Sequence, residues 1–202
     1  MKKIDWKLLI VTSSIFLIPL ALILIYYGQL PAVLYTHFGI DSQANEMSDK
    51  WIALVLTPIL LVVVHLALCI GLDVTKSGRL PVAKVVKWVI PIFTTLETGL
   101  ILVYNAGNQI DVRRLVVALL ALIYLLLGNY LPKDVAGMTD SKTLMDRKKT
   151  AYLFISGAFA LLLSLFFAPI VSLMVGIVFI VLVISWSICV GLKSYRSTSN
   201  RL

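Results

Sequence analysis

The stretch LVVALLALIYLLLGNYLPK, Leu115 to Lys133, decides what kind of protein this is. From Leu115 through Leu127 it carries no charge at all, and a polar turn with Asn129, Pro132 and Lys133 follows at once. A helix on the surface of a soluble protein shows a polar face every turn. One that is apolar all round belongs in a deep core or a membrane. The whole chain repeats the pattern. It is 60% hydrophobic and 14% charged, with a mean hydropathy of +0.98, where soluble domains sit near half apolar and a quarter charged.

A membrane span needs about 20 apolar residues to cross roughly 30 Å of hydrocarbon. Six runs qualify: Leu8–Tyr27, Trp51–Leu72, Trp88–Ala106, Leu115–Leu131, Ala151–Phe167 and Ile170–Leu192. They are continuously apolar rather than alternating, which excludes a β-barrel. The expectation is an all-α bundle of six transmembrane helices, one polytopic domain over residues 1–202. The first run follows Lys2, Lys3 and Lys7 as a signal peptide would, but it is long and no small-residue cleavage site precedes Gly28, so it is read as an uncleaved span. Cys69 and Cys189 both sit inside apolar runs and are expected as free thiols.

With both termini in the cytoplasm, the inner side receives all but Lys50, Arg113 and Arg114 of the chain's 18 lysines and arginines. That is the positive-inside bias of a multi-pass protein. It also accounts for the net charge of +8 without nucleic acid, since basic residues that flank spans set topology and attract anionic headgroups. The longest connections are then Gly28–Lys50 outside and Pro132–Thr150 inside, where function concentrates.

The outer connection reads Leu30-Pro31, then Thr36-His37-Phe38-Gly39, then Ser48-Asp49-Lys50-Trp51. It resembles a bacterial domain of uncharacterised function whose first outer loop carries LP, HF, G, D and K in that order. That domain commonly precedes the region typical of the sporulation-delaying-toxin immunity proteins (the SdpI family). The inner connection is similar to that family in part: Gly128-Asn129 with Leu131-Pro132-Lys133 resembles its GN-x-LPK element, and Lys148-Lys149-Thr150 its K-K-T before the fifth span. Between them Gly137, Thr143 and Leu144 agree with the family's G-I-R-T-P-W-T-L, whereas Thr139, Ser141 and Lys142 replace its Arg, Pro and Trp.

The resemblance implies a multi-pass protein of the bacterial plasma membrane that gives immunity to a secreted membrane-active toxin. Pro31, His37, Phe38, Gly39 and Lys50 are the candidate toxin-binding residues. Pro132, Lys133, Gly137, Thr143, Leu144 and Lys149 are the candidate residues of the cytoplasmic loop, and the resemblance also implies a cytoplasmic repressor held at the membrane when toxin is engaged. Membrane lipids are the remaining expected partner.

Four intramembrane polar residues stand apart from the resemblance: His65, Glu97, Asn105 and Asn129. Counting about 1.5 Å per residue from Lys87 puts Glu97 some 15 Å into the membrane, where a carboxylate costs on the order of 3 kcal/mol. Thr94, Glu97, Thr98, Ile101 and Asn105 share a helical face, so the third span carries a polar stripe. The same counting places His65 within about 6 Å of that depth, close enough for a His–Glu pair if the helices face each other. Two readings stand: a small proton-coupled transporter built on Glu97, or interhelical hydrogen bonding that only packs the bundle. Asn129 either bonds a neighbouring helix or caps the turn before Pro132. His37 with Asp41, Glu46 and Asp49 lacks compact ligand spacing, so no metal or other cofactor is assigned. No nucleophile is paired with a base, and no enzyme is expected.

Overall fold

The computed structural model describes residues 4–39, 41–75, 78, 80–133 and 141–199, and they are mostly helical. Five stretches among them are long and apolar enough to cross a membrane: Trp6–Gln29, Ile52–Asp73, Pro81–Asn105, Val112–Tyr130 and Pro169–Lys193. The fifth predicted run, Ala151–Phe167, lies mostly in a helix over Ser141–Ser164 and ends three residues beyond it. That helix carries Asp146, Arg147, Lys148 and Lys149 in its first half, so only the part from Thr150 onward is uncharged. Two compact units divide the chain, Met1–Arg113 and Arg114–Leu202.

The first unit opens with α1 (Trp6–Ser14) and α2 (Leu17–Tyr26). Asp5 caps α1, its carboxylate accepting from the Leu8 N–H at 3.1 Å. The two helices are one apolar path with a tightened joint. Thr12 and Ser14 donate their hydroxyls back to the carbonyls of Leu8 and Val11, competing with the helical ladder. Pro19 brings no N–H for the carbonyl of Ile15. The backbone steps down to three-residue bonds there, Ile15 to Thr12 and Phe16 to Ser13.

The outer connection is not irregular. It forms an antiparallel hairpin of β1 (Val33–Phe38) and β2 (Ala44–Asp49), which corrects the all-α expectation. Val33, Tyr35, Thr36 and Phe38 are β-branched or aromatic, and the turn is made by Gly39 and Ser42, with Ser42 at a left-handed φ of 63°. Leu34 opposes Ser48 and Tyr35 opposes Met47. Alternation sends Leu34, with no exposed surface, into a core of Ile23, Ala53, Leu54, Ile101 and Leu102.

After the hairpin, Ile52–Leu56 winds as a wider π coil and runs into α3 (Thr57–Asp73). Thr57 donates both its N–H and its hydroxyl to the Ile52 carbonyl, and Pro58 supplies no N–H of its own. α4 (Pro81–Asn105) starts on a proline at its first position, and Leu80 is extended before it. It ends in a Schellman closure. Gly107, at φ 89°, lets its own N–H reach Tyr104 and that of Asn108 reach Val103. Buried Lys87, Pro91, Thr94, Thr98 and Ile101 mark the face α4 turns inward.

The second unit holds α5 (Val112–Tyr130), α6 (Ser141–Ser164) and α7 (Pro169–Ser199). Its core joins Val117 and Ala121 of α5 to Ala158 and Leu161 of α6. Tyr124, Phe154 and Phe179 interlock their rings, with centroids 4.7 to 5.8 Å apart. Phe179 lies over Gly157, where a side chain would collide with its ring. Ser164 donates to Ser172 at 2.9 Å across the tight α6–α7 turn.

Candidate functional site

The hairpin is bolted to the helices by a few specific contacts. Asn105, the last residue of α4, accepts from the Tyr35 N–H at 2.9 Å and donates to the Tyr35 carbonyl at 3.0 Å. Its amide thus pairs with β1 as a neighbouring strand would. The Tyr104 ring packs edge-on against Phe38, centroids 4.7 Å apart, and against Tyr35, 5.9 Å apart. Lys50 donates to the carbonyls of Tyr27 and Leu30, each at 3.0 Å, and its ammonium lies 4.4 Å from the Tyr27 ring centroid. A cation there closes the orphan carbonyls at the end of the first helical path. At the turn, the Ser42 hydroxyl donates to Asp111 at 3.3 Å and accepts from the Arg113 N–H at 3.1 Å.

The structure therefore gathers Pro31, His37, Phe38, Gly39 and Lys50 in and around one hairpin and adds Asn105 to them. They divide in role. Phe38 and Lys50 hold the hairpin down, and Gly39 closes its turn by donating to Gln43 at 2.8 Å. His37 and Pro31 are exposed, His37 fixed by a 2.6 Å bond between Nδ1 and Asn45. Tyr35, Met47 and Val33 are exposed beside them.

Two clefts flank α2. One, of 620 Å³, separates α2 from the π coil and the start of α3 and is lined by apolar residues from Phe16 to Val62. The other, of 540 Å³, lies between the end of α2 and the end of α4, with Gln29, Asn105 and Asn108 along an otherwise apolar wall.

The opposite end of this unit carries a polar cluster of a different kind. Lys87, 1% exposed, donates to Asp73 at 2.6 Å, and Asp73 accepts from the Asp5 N–H at 3.0 Å with its other oxygen. Each charge is satisfied by a partner, the condition for burying a pair at all. Asp73, Cys69 and His65 follow at four-residue spacing along one face of α3. His65 is fully buried. Its Nε2 lies 3.2 Å from the Thr12 hydroxyl, Cys69 Sγ is 3.7 Å from the ring, and Phe16 stacks edge-on at 5.4 Å.

The His65–Glu97 pair that depth alone would allow is not formed, because His65 faces α1. Glu97 sits at the edge of the inward face of α4, half-buried, with no hydrogen bond or ion pair to another described residue. Its neighbours in the expected stripe turn elsewhere: Thr94 donates to Ile90 in its own helix, and Asn105 serves the hairpin.

In the second unit Asn129 is exposed and its side chain makes no hydrogen bond among those found between the described residues. Gly128 carries the packing instead: a Cβ there would stand 2.6 Å from Ile155 and 3.0 Å from the Ala151 carbonyl of α6. Lys133 folds back over the Tyr130 ring at 3.8 Å, with Pro132 half-buried before it. Thr143, Leu144 and Lys149 lie on α6, Lys149 exposed, and Gly137 lies outside the described residues. Trp186 of α7 donates to Thr150 at 2.8 Å.

A family model described as "Domain of unknown function (DUF1648)" matches residues 14–62. The match runs from the α1–α2 joint through the hairpin and the π coil into α3. It contains all five residues singled out in the outer connection and every residue lining the 620 Å³ cleft. Residues 128–150, which carry the second half of the resemblance, lie outside that match, and nothing in these comparisons reaches the toxin-immunity family. No curated protein and no solved structure matches the chain.

Sequence reasoning missed Leu34, Tyr104, Thr12, Asp73 and Lys87. Asp73 had a visible signal, as the only acid between Trp51 and Lys87, directly before a basic run.

Proposed function

We infer that this is a six-span protein of a bacterial plasma membrane, both termini cytoplasmic, whose outer hairpin recognises a secreted membrane-active toxin and protects the cell from it. The observation that carries the reading is the hairpin itself. It is a stiff platform, fixed through Leu34, Asn105 and Lys50, that leaves Tyr35, His37 and Met47 outward. Binding residues held on a rigid scaffold are the usual form of a recognition surface. The sixth span is α6, whose uncharged sequence continues past the helix end through Phe167. The distribution of lysine and arginine then sets the orientation. A second task, holding a cytoplasmic repressor through the Pro132–Lys149 tract, rests on the resemblance alone.

The test is survival. The chain is expressed in a sensitive Gram-positive host and challenged with secreted membrane-active toxins. Selective protection against one of them, weakened by His37→Ala at equal membrane abundance, is expected. Equal killing with and without the protein would sink the reading.

Glu97 favours a second reading, a small proton-coupled transporter, because it is a half-buried acid with no partner among the described residues. Vesicles that show no pH-driven flux, with Glu97→Gln behaving as wild type, would remove it.

A further inference from the structure

We propose that the cleft between α2 and α3 is a specific site for one anionic phospholipid from the leaflet on the hairpin side, with an acyl tail in the cleft and the phosphate on Lys50. The cleft is shaped for a chain. Its floor is buried Pro19, Ile23 and Leu54, while Leu20, Leu24 and Ile59 along its rim are exposed, so it opens sideways into hydrocarbon. Leu54 to Val62 spans about 12 Å and Phe16 to Tyr27 about 16 Å of helix, close to one leaflet of a core roughly 30 Å thick.

Charge completes the site at its mouth. Tyr27 lines the cleft, and its carbonyl and ring hold the Lys50 ammonium there. Lysine has three donors. Two go to Tyr27 and Leu30, leaving one for a phosphate oxygen. No carboxylate, adjacent Asp49 included, reaches Lys50 within ion-pair distance among the described residues. Leu54 stands one helical turn below Lys50, so headgroup and tail positions lie on one line. Exposed Tyr26 and Trp51 mark that level as the interface.

The intact chain, purified in an uncharged detergent, is titrated with phosphatidylglycerol, phosphatidylcholine and palmitate under native mass spectrometry. One phosphatidylglycerol should be retained at least about fivefold more tightly than phosphatidylcholine, the effect of one lysine on an anionic headgroup. Lys50→Gln should erase that preference. Ile59→Trp, which fills the cleft and leaves Lys50 in place, should abolish retention of both lipids with helicity unchanged. Equal binding of the two lipids by the wild type, or undiminished phosphatidylglycerol on the Ile59→Trp chain, overturns the proposal. Palmitate displacing phosphatidylglycerol at equal concentration also overturns it and assigns the cleft to a free fatty acid. The proposal rests on the chain crossing a membrane and is independent of toxin protection, which is read in living cells.

Discussion

Asn105 and Tyr35 lie 70 positions apart and meet through two hydrogen bonds, so that the end of α4 completes the edge of β1. A strand edge otherwise shows open N–H and C=O groups. One amide side chain closes the pair that faces the bundle, and this fixes the angle at which the hairpin stands.

Asn105→Ala should therefore cost about 1–3 kcal/mol, two net hydrogen bonds, in thermal unfolding of the detergent-solubilised protein. Limited proteolysis between Gly39 and Gln43 should speed up in parallel. Asn105→Asp loses the donor to the Tyr35 carbonyl and should be at least as harmful. Cleavage at the wild-type rate in both variants would mean that the hairpin is held by Leu34 and Tyr104 alone.

Lys87→Met should be severe, about 3–5 kcal/mol, because it strands the Asp73 carboxylate in the interior. The double variant Lys87→Met with Asp73→Leu should cost less than Lys87→Met alone, since no charge is then left buried. A double-mutant cycle by denaturant unfolding measures this, and simply additive losses would show that the two side chains act independently.

Thr12→Val keeps the shape of the side chain and removes its hydroxyl. His65 Nε2 is then left with the weak Cys69 contact, and about 1–3 kcal/mol should be lost. Thr12→Ser should restore most of it. If Val and Ser behave alike, the His65 contact contributes nothing measurable.

Glycines in the helices should respond oppositely according to their neighbours. Gly128→Val presses into Ile155 and the Ala151 carbonyl and should cost about 1–3 kcal/mol by overpacking. Gly99→Ala meets nothing within 4 Å and should gain up to about 1 kcal/mol from helix propensity. Melting temperatures of the two variants shifting in the same direction would contradict this.

The helices were legible because burial in a membrane leaves a coarse signal, the absence of charge. Their ends were not. Lys84 and Lys87 read as terminators of the third run, placing its start at Trp88, whereas α4 begins at Pro81 and swallows Lys87 onto Asp73. Depth was likewise easier than direction. Rise per residue brings His65 and Glu97 to similar levels, but whether two side chains meet depends on the rotation of each helix, and Glu97 falls just off the inward face of α4. The hairpin hid in a connection treated as loop, although Val33 to Phe38 followed by Gly39 and Asp41-Ser42 is a strand and turn by composition. Gly128 and Asn129 show the same limit: the polar residue drew attention, and the missing side chain beside it does the packing.

The contacts that seat the hairpin also impose an order on biogenesis. Leu34 needs Ile101 and Leu102 to cover it, and Tyr35 needs Asn105. All three belong to the end of a helix synthesised about 70 residues later. The strands from Val33 to Asp49 can pair with each other, but Leu34 stays uncovered and Tyr35 unanchored until α4 is in place. Docking of the hairpin is thus a late event and reports that the first unit has assembled.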